Sequence, residues 1–141
     1  MNSPVTILLV EDDEVDIMNV KRAFKKSNVS NPLLVANNGI EALDILRSDE
    51  LEVARPRVIL LDLNMPKMGG IEFLKEVRND SSLHSISVFV MTTSNEEKDK
   101  VDAYNLNVAG YILKPLSMDQ FIDAVSVLKS YWTLCQYPDI E

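Results

Sequence analysis

The chain has 141 residues, 46% of them apolar and 26% charged, which suits one domain with one hydrophobic core and is too apolar for a disordered chain. A formal net charge of −8 argues against sequence-independent binding to nucleic acid or to an anionic membrane, since both need basic patches. The lone Cys135 cannot form an intrachain disulfide, no basic leader precedes an apolar stretch at the N-terminus, and no apolar run approaches the roughly 20 residues that span a bilayer, so a cytoplasmic protein is the default.

The first expected element is a strand over Val5-Thr6-Ile7-Leu8-Leu9-Val10, whose nearly continuous apolarity suggests burial on both faces. Glu11-Asp12-Asp13 follows it, and Ile17, Val20 and Phe24 then recur at a helical period. Leu33-Leu34-Val35-Ala36 is a shorter strand candidate. Asn38-Gly39 is a turn that opens a helix with the stripe Ala42, Leu43 and Leu46. Val58-Ile59-Leu60-Leu61 is a third strand and ends at Asp62. Met68-Gly69-Gly70 turns into a helix with Phe73, Leu74 and Val77 on one face. Ile86 to Met91 is a fourth strand, followed by Thr92-Thr93-Ser94. Asn95 to Tyr104 is a polar, lightly buried helix with Val101 and Tyr104 facing inward. Tyr111-Ile112-Leu113 is the fifth strand, followed by Lys114-Pro115. Ser117 is placed to cap the last helix, with Gln120 three residues on, and Phe121, Ala124, Val125, Leu128 and Trp132 form its core stripe.

Five strands alternating with five helices predict a doubly wound α/β fold, a parallel sheet with helices on both faces. Residues 1–130 are read as the domain and 131–141 as a short tail with no output domain.

In such a sheet, ligands bind beyond the carboxyl ends of the strands. Glu11 and Asp12, Asp62, Thr92 and Lys114 all lie at those ends, so the fold would gather carboxylates, a hydroxyl and an ammonium on one edge. Clustered carboxylates repel one another and suit a hard cation such as Mg²⁺. A carboxylate on that cation can act as a nucleophile towards phosphorus, and phosphoryl transfer needs neutralised equatorial oxygens more than it needs acid–base chemistry.

Four motifs occur in order: Leu9-Val10-Glu11-Asp12-Asp13, Leu61-Asp62-Leu63-Asn64-Met65-Pro66 with Gly69-Gly70, Met91-Thr92-Thr93-Ser94, and Tyr111-Ile112-Leu113-Lys114-Pro115. Across about residues 5 to 130 the chain resembles the receiver domains of bacterial two-component response regulators. The resemblance implies a flavodoxin-like sheet of order 2-1-3-4-5. It implies Asp62 as phosphoacceptor, Glu11, Asp12 and Asp62 as Mg²⁺ ligands, and Asn64 as a further ligand through its backbone carbonyl. Thr92 would be the switch hydroxyl, Tyr111 the switch aromatic, and Lys114 the partner of the phosphoryl group. The donor would be a sensor histidine kinase, with output through protein contacts or, in a shuttle, by handing the phosphoryl group to a histidine phosphotransfer protein. A finer resemblance, carried by Leu33 to Ala42, Thr92-Thr93-Ser94 and the tail from Tyr131 to Pro138, is to the small regulators that work with bacterial phytochromes; many of these dimerise, which makes a homodimer a candidate here.

Two features depart from the family. Asn107 replaces a usual glycine before the fifth strand, and Asn tolerates a left-handed backbone. Asp13 adds a third acid, read as helix-start charge and not as a metal ligand.

Taken singly, each motif has a plainer reading: Glu11-Asp12 as charge at a helix start, Tyr111 as packing, His84 as an exposed loop residue and Cys135 as a small apolar residue. Val127, Tyr131 and Leu134 form a second stripe on the last helix, either covered by the tail or serving as an interface. Two rival functions fare worse. An aspartyl-nucleophile phosphatase would want a second carboxylate where Asn64 stands, and a flavin carrier would want small hydroxyl residues where Glu11-Asp12-Asp13 would repel phosphate.

Overall fold

A computed structural model of the chain describes residues 5–50, 52–63, 68–92, 101–102, 105–113 and 117–134. In chain order the elements are β1 (Ile7–Val10), α1 (Glu14–Lys26), β2 (Leu33–Ala36), α2 (Gly39–Leu46), β3 (Val58–Asp62), α3 (Gly70–Asn79), β4 (Ser87–Thr92), β5 (Gly110–Leu113) and α4 (Met118–Leu134). The strands form one parallel sheet of order β2-β1-β3-β4-β5, as expected.

The continuous apolar runs are explained by two cores. Leu8, Val10, Ile59, Leu61, Val88 and Val90 point to one face, where they meet Ala42, Leu43 and Leu46 of α2 and Phe73, Leu74 and Val77 of α3. Ile7, Leu9, Val58, Leu60, Phe89 and Met91 point to the other, where they meet Val20, Ala23 and Phe24 of α1 and Val125, Leu128 and Trp132 of α4. A strand covered on both sides has no position left for polar alternation. Each fully buried Leu, Ile or Phe contributes about 1.5–3 kcal/mol relative to an exposed one.

The helix caps follow from the sequence. Asp13 accepts from Val15 N at 2.8 Å and Asp16 N at 3.1 Å at the start of α1. Asn38 caps α2 by accepting from Glu41 N at 2.9 Å. Ser117 and Gln120 form the expected capping box: Gln120 N donates to Ser117 Oγ at 3.1 Å, and Ser117 N donates to Gln120 Oε1 at 3.0 Å.

Three expectations need correction. Among the described residues there are four helices, not five: the expected helix from Asn95 to Tyr104 lies mostly outside them, and there only Val101 and Asp102 are helical. The last helix runs to Leu134 and takes in residues expected as tail, because Tyr131 and Trp132 pack on the sheet and reward continued helix. Asp62 and Thr92 are the final residues of their strands and do not follow them, so the strand ladders fix both backbones. No helix among the described residues is long and apolar enough to cross a membrane.

Candidate functional site

Strand register builds the site. Val10 pairs with Leu61, so Glu11 and Asp62 each come next at adjoining strand ends and share a face. Asp62 in turn pairs with Met91, which puts Thr92 one step beyond it on the neighbouring strand. Glu11 is fully buried, Asp62 is 5% exposed and Thr92 is fully buried, whereas Asp12 is exposed. Carboxylate oxygens of Glu11, Asp12 and Asp62 all lie within 4.8 Å of one another. Glu11 Oε1 accepts from Asp13 N at 3.2 Å, which orients its carboxylate beside the start of α1.

Behind Asp62 the chain is tightly packed. Gly70 opens α3 with its N donating to Leu63 O at 3.3 Å. A Cβ at Gly70 would lie 2.5 Å from Leu63 Cα and 2.9 Å from Asp62 O. The glycine is therefore required by close approach of backbone to backbone, and no glycine among the described residues has positive φ.

Three like charges so close, two of them buried, fit a divalent cation with oxygen ligands. Buried carboxylates are costly unless such a charge or hydrogen bonds compensate them. Oxygen ligands of this kind suit Mg²⁺, Ca²⁺ and Mn²⁺ alike, so the donor set alone does not select among them.

The structure thus brings together Glu11, Asp12, Asp62 and Thr92. Asp13 is a helix cap, as expected, and His84 is exposed in a loop, as expected. Tyr111 is half-buried on β5 and packs against the core formed with α2 and α3; its OH donates to Asp102 Oδ1 at 3.0 Å. Asn107 has φ 46°, the left-handed conformation expected of it, and Asn105 has φ 53°. Val101 is buried, as expected. Asn64, Lys114, Thr93, Ser94, Tyr104 and Cys135 lie outside the described residues. On α4, Val127 is 70% exposed. Tyr131 is engaged within the chain: its ring meets Phe89 edge-on at 5.1 Å, and its OH lies 3.3 Å from Ser87 Oγ.

Two residues went unmarked in the sequence. Asp102 carries no local signal, because its role comes from Tyr111 across a loop. Arg78, half-buried on α3, donates to Leu106 O at 2.8 Å, His84 O at 2.8 Å, Ile86 O at 2.9 Å and Asn107 O at 2.6 Å. Burial pushes its guanidinium below the usual pKa. This clasp ties the chain before β4 to the chain before β5, at the sheet edge opposite the acids. An arginine in the last turn of a helix is too common to announce it.

The model of the response regulator receiver domain matches residues 7–126. The chain is 37% identical over 133 residues to the response regulator Rcp1 of Synechocystis sp., covering 93% of this chain and 90% of that one. The crystal structure of the phosphorylated cyanobacterial phytochrome response regulator RcpA superposes with a TM-score of 0.83 at 34% identity, covering 97% of this chain and 100% of that one. The Mn²⁺-bound form of Rcp1 gives 0.81 at 34% identity, covering 96% of this chain and 100% of that one. Sheet order, the acidic cluster at the carboxyl edge and these likenesses agree: the chain belongs to the response regulator receiver family of two-component signalling.

Proposed function

We propose that the chain accepts a phosphoryl group on Asp62 from a histidine kinase and signals by changing its protein contacts. The observation that carries this reading is the set of three carboxylates within 4.8 Å of one another at the carboxyl ends of β1 and β3, with Asp62 one register step from a buried threonine. Glu11, Asp12 and Asp62 would hold Mg²⁺, with the carbonyl of Asn64 as a further ligand. A bound ion of this class offsets carboxylate charge and neutralises phosphoryl oxygens. That Rcp1 has been crystallised with Mn²⁺, another oxygen-preferring cation, supports a metal here.

In the transfer an Asp62 oxygen attacks phosphorus. The new P–O bond forms as the P–N bond to the donor histidine breaks, and the leaving imidazole keeps that electron pair and takes up a proton. Thr92 would donate its hydroxyl to a phosphoryl oxygen, and Lys114 would pair with another. Tyr111 would follow Thr92 and change the surface around β5 and α4. The likeness to RcpA favours a sensor of the phytochrome type as the kinase, with a histidine phosphotransfer protein as the other class of donor or acceptor. A homodimer through the outer face of α4 accompanies this reading. Val127 is its best anchor among Val127, Tyr131 and Leu134, since the ring of Tyr131 is already packed on Phe89.

The test is intact-mass measurement after incubation with acetyl phosphate, with and without Mg²⁺. One phosphoryl adduct that requires Mg²⁺ and is lost in Asp62→Asn is expected. An adduct that persists in Asp62→Asn would overturn the assignment, and sedimentation of the phosphorylated protein would reveal the dimer.

A further inference from the structure

We infer that Asp102 is a positioning residue, a latch that holds Tyr111 away from Thr92 and so opposes phosphorylation of Asp62. This rests on the reading of Asp62, Thr92 and Tyr111 proposed above. β4 and β5 pair Val90 with Tyr111 and Thr92 with Leu113. Side chains two apart on a strand share a face, so Tyr111 and Thr92 lie diagonally on the same face of neighbouring strands. The ring is therefore within reach of the threonine's side of the sheet, yet its OH is bound elsewhere, to the carboxylate of Asp102 at 3.0 Å. A hydrogen bond to an ionised acceptor is stronger than a neutral one, and it must break before the ring can move towards Thr92.

The latch stands on a fixed post. Val101, its neighbour, is buried in the core. Leu106 N donates to Val101 O at 3.1 Å, and Asn105 N donates to Asp102 O at 3.1 Å. Asn105 and Asn107 turn the chain through left-handed conformations, and Arg78 then grips the carbonyls of Leu106 and Asn107. The acceptor is thus held by backbone bonds, a buried neighbouring side chain and the arginine clasp, while the donor sits on a half-buried ring. A bond that favours one position of Tyr111 must, by linkage, weaken any ligand at Asp62 that favours the other.

The test uses the full chain and two readouts. Tyrosine-ring NMR signals are recorded in the metal-free protein, with the Tyr111 signal identified by its loss in Tyr111→Phe. Affinity is then titrated with beryllofluoride in Mg²⁺, a non-transferable mimic of the phosphoryl group. Asp102→Ala should shift the Tyr111 signal and tighten beryllofluoride binding by roughly threefold to tenfold. Asp102→Asn, which keeps a carbonyl oxygen as acceptor, should fall between the native protein and Asp102→Ala. Tyr111→Phe should match Asp102→Ala, and the double variant should match either single one instead of summing them. An unmoved Tyr111 signal in Asp102→Ala overturns the latch. A moved signal with unchanged affinity, or additive effects in the double variant, overturns its coupling to Asp62. A native protein that does not bind beryllofluoride, while the Tyr111 signal still moves, overturns the phosphoryl reading and the coupling but leaves the hydrogen bond itself demonstrated.

Discussion

The two edges of the sheet bury charge in opposite ways. At the amino edge, Arg78 is a half-buried cation whose donors reach four backbone carbonyls, so the chain itself supplies what the charge requires. At the carboxyl edge, Glu11, Asp12 and Asp62 bring three carboxylates within 4.8 Å of one another, two of them buried, a grouping that could hold a metal ion. The first arrangement is complete in folding terms and stabilises. On the function proposed above, the second would give up stability for the capacity to bind, the usual trade at a functional site.

The contrast can be broken most directly at Arg78. Arg78→Ala leaves four carbonyls without their donor, and a loss of about 3 kcal/mol is expected in urea unfolding, with Arg78→Lys recovering only part because its ammonium cannot span the same fork. A loss below about 0.5 kcal/mol would mean that water replaces the guanidinium freely and that the amino edge is not a structural clasp. Gly70→Ala comes next. Its Cβ would lie 2.5 Å from Leu63 Cα, so backbone must shift behind Asp62; a loss of about 2 kcal/mol is expected, together with slower labelling by acetyl phosphate.

At the carboxyl edge the sign should reverse. Addition of Mg²⁺ at ten times its dissociation constant should raise native stability by about 1.4 kcal/mol, read as a shift in Tm. Asp62→Asn should be more stable than the native protein in EDTA, by about 1 kcal/mol, and should lose most of the Mg²⁺ response. Equal or lower stability of the variant in EDTA would show that the clustered acids cost nothing. The smallest effect belongs to Asp80, which follows α3. The backbone N–H of Ser82, with Arg47 adding to it, holds this carboxyl below its ordinary pKa. A lowered folded pKa contributes stability above the ordinary Asp range, and that stability is lost as pH falls through the lowered value. Asp80→Asn should therefore narrow the acid limb of a stability profile below about pH 4 and leave stability at pH 7 within about 0.5 kcal/mol.

Much of this molecule was legible as a string of residues because the features that carry it are local. Unbroken apolar runs such as Ile7–Val10 mark strands covered on both faces, and helical spacing marks the faces of α1 to α4 that enter the two cores. Ser117 with Gln120, Asn38 with Glu41, and Asp13 are caps that act within three residues of their partners. The alternation of elements then places every strand's carboxyl end on one edge, which is why Glu11, Asp12, Asp62 and Thr92 group together from the sequence alone. Tertiary structure alone decided the rest. Register set Glu11 beside Asp62. Space, not a turn, required Gly70. Phe89 claimed Tyr131 from a stripe that reads equally well as an interface. Arg78 and Asp102 found partners 6 to 29 and 9 positions away, where side-chain reach and loop path, not sequence pattern, determine who meets whom. Hydrogen bonds and packing of this kind depend on distances between elements, and the periodicity within each element does not encode them.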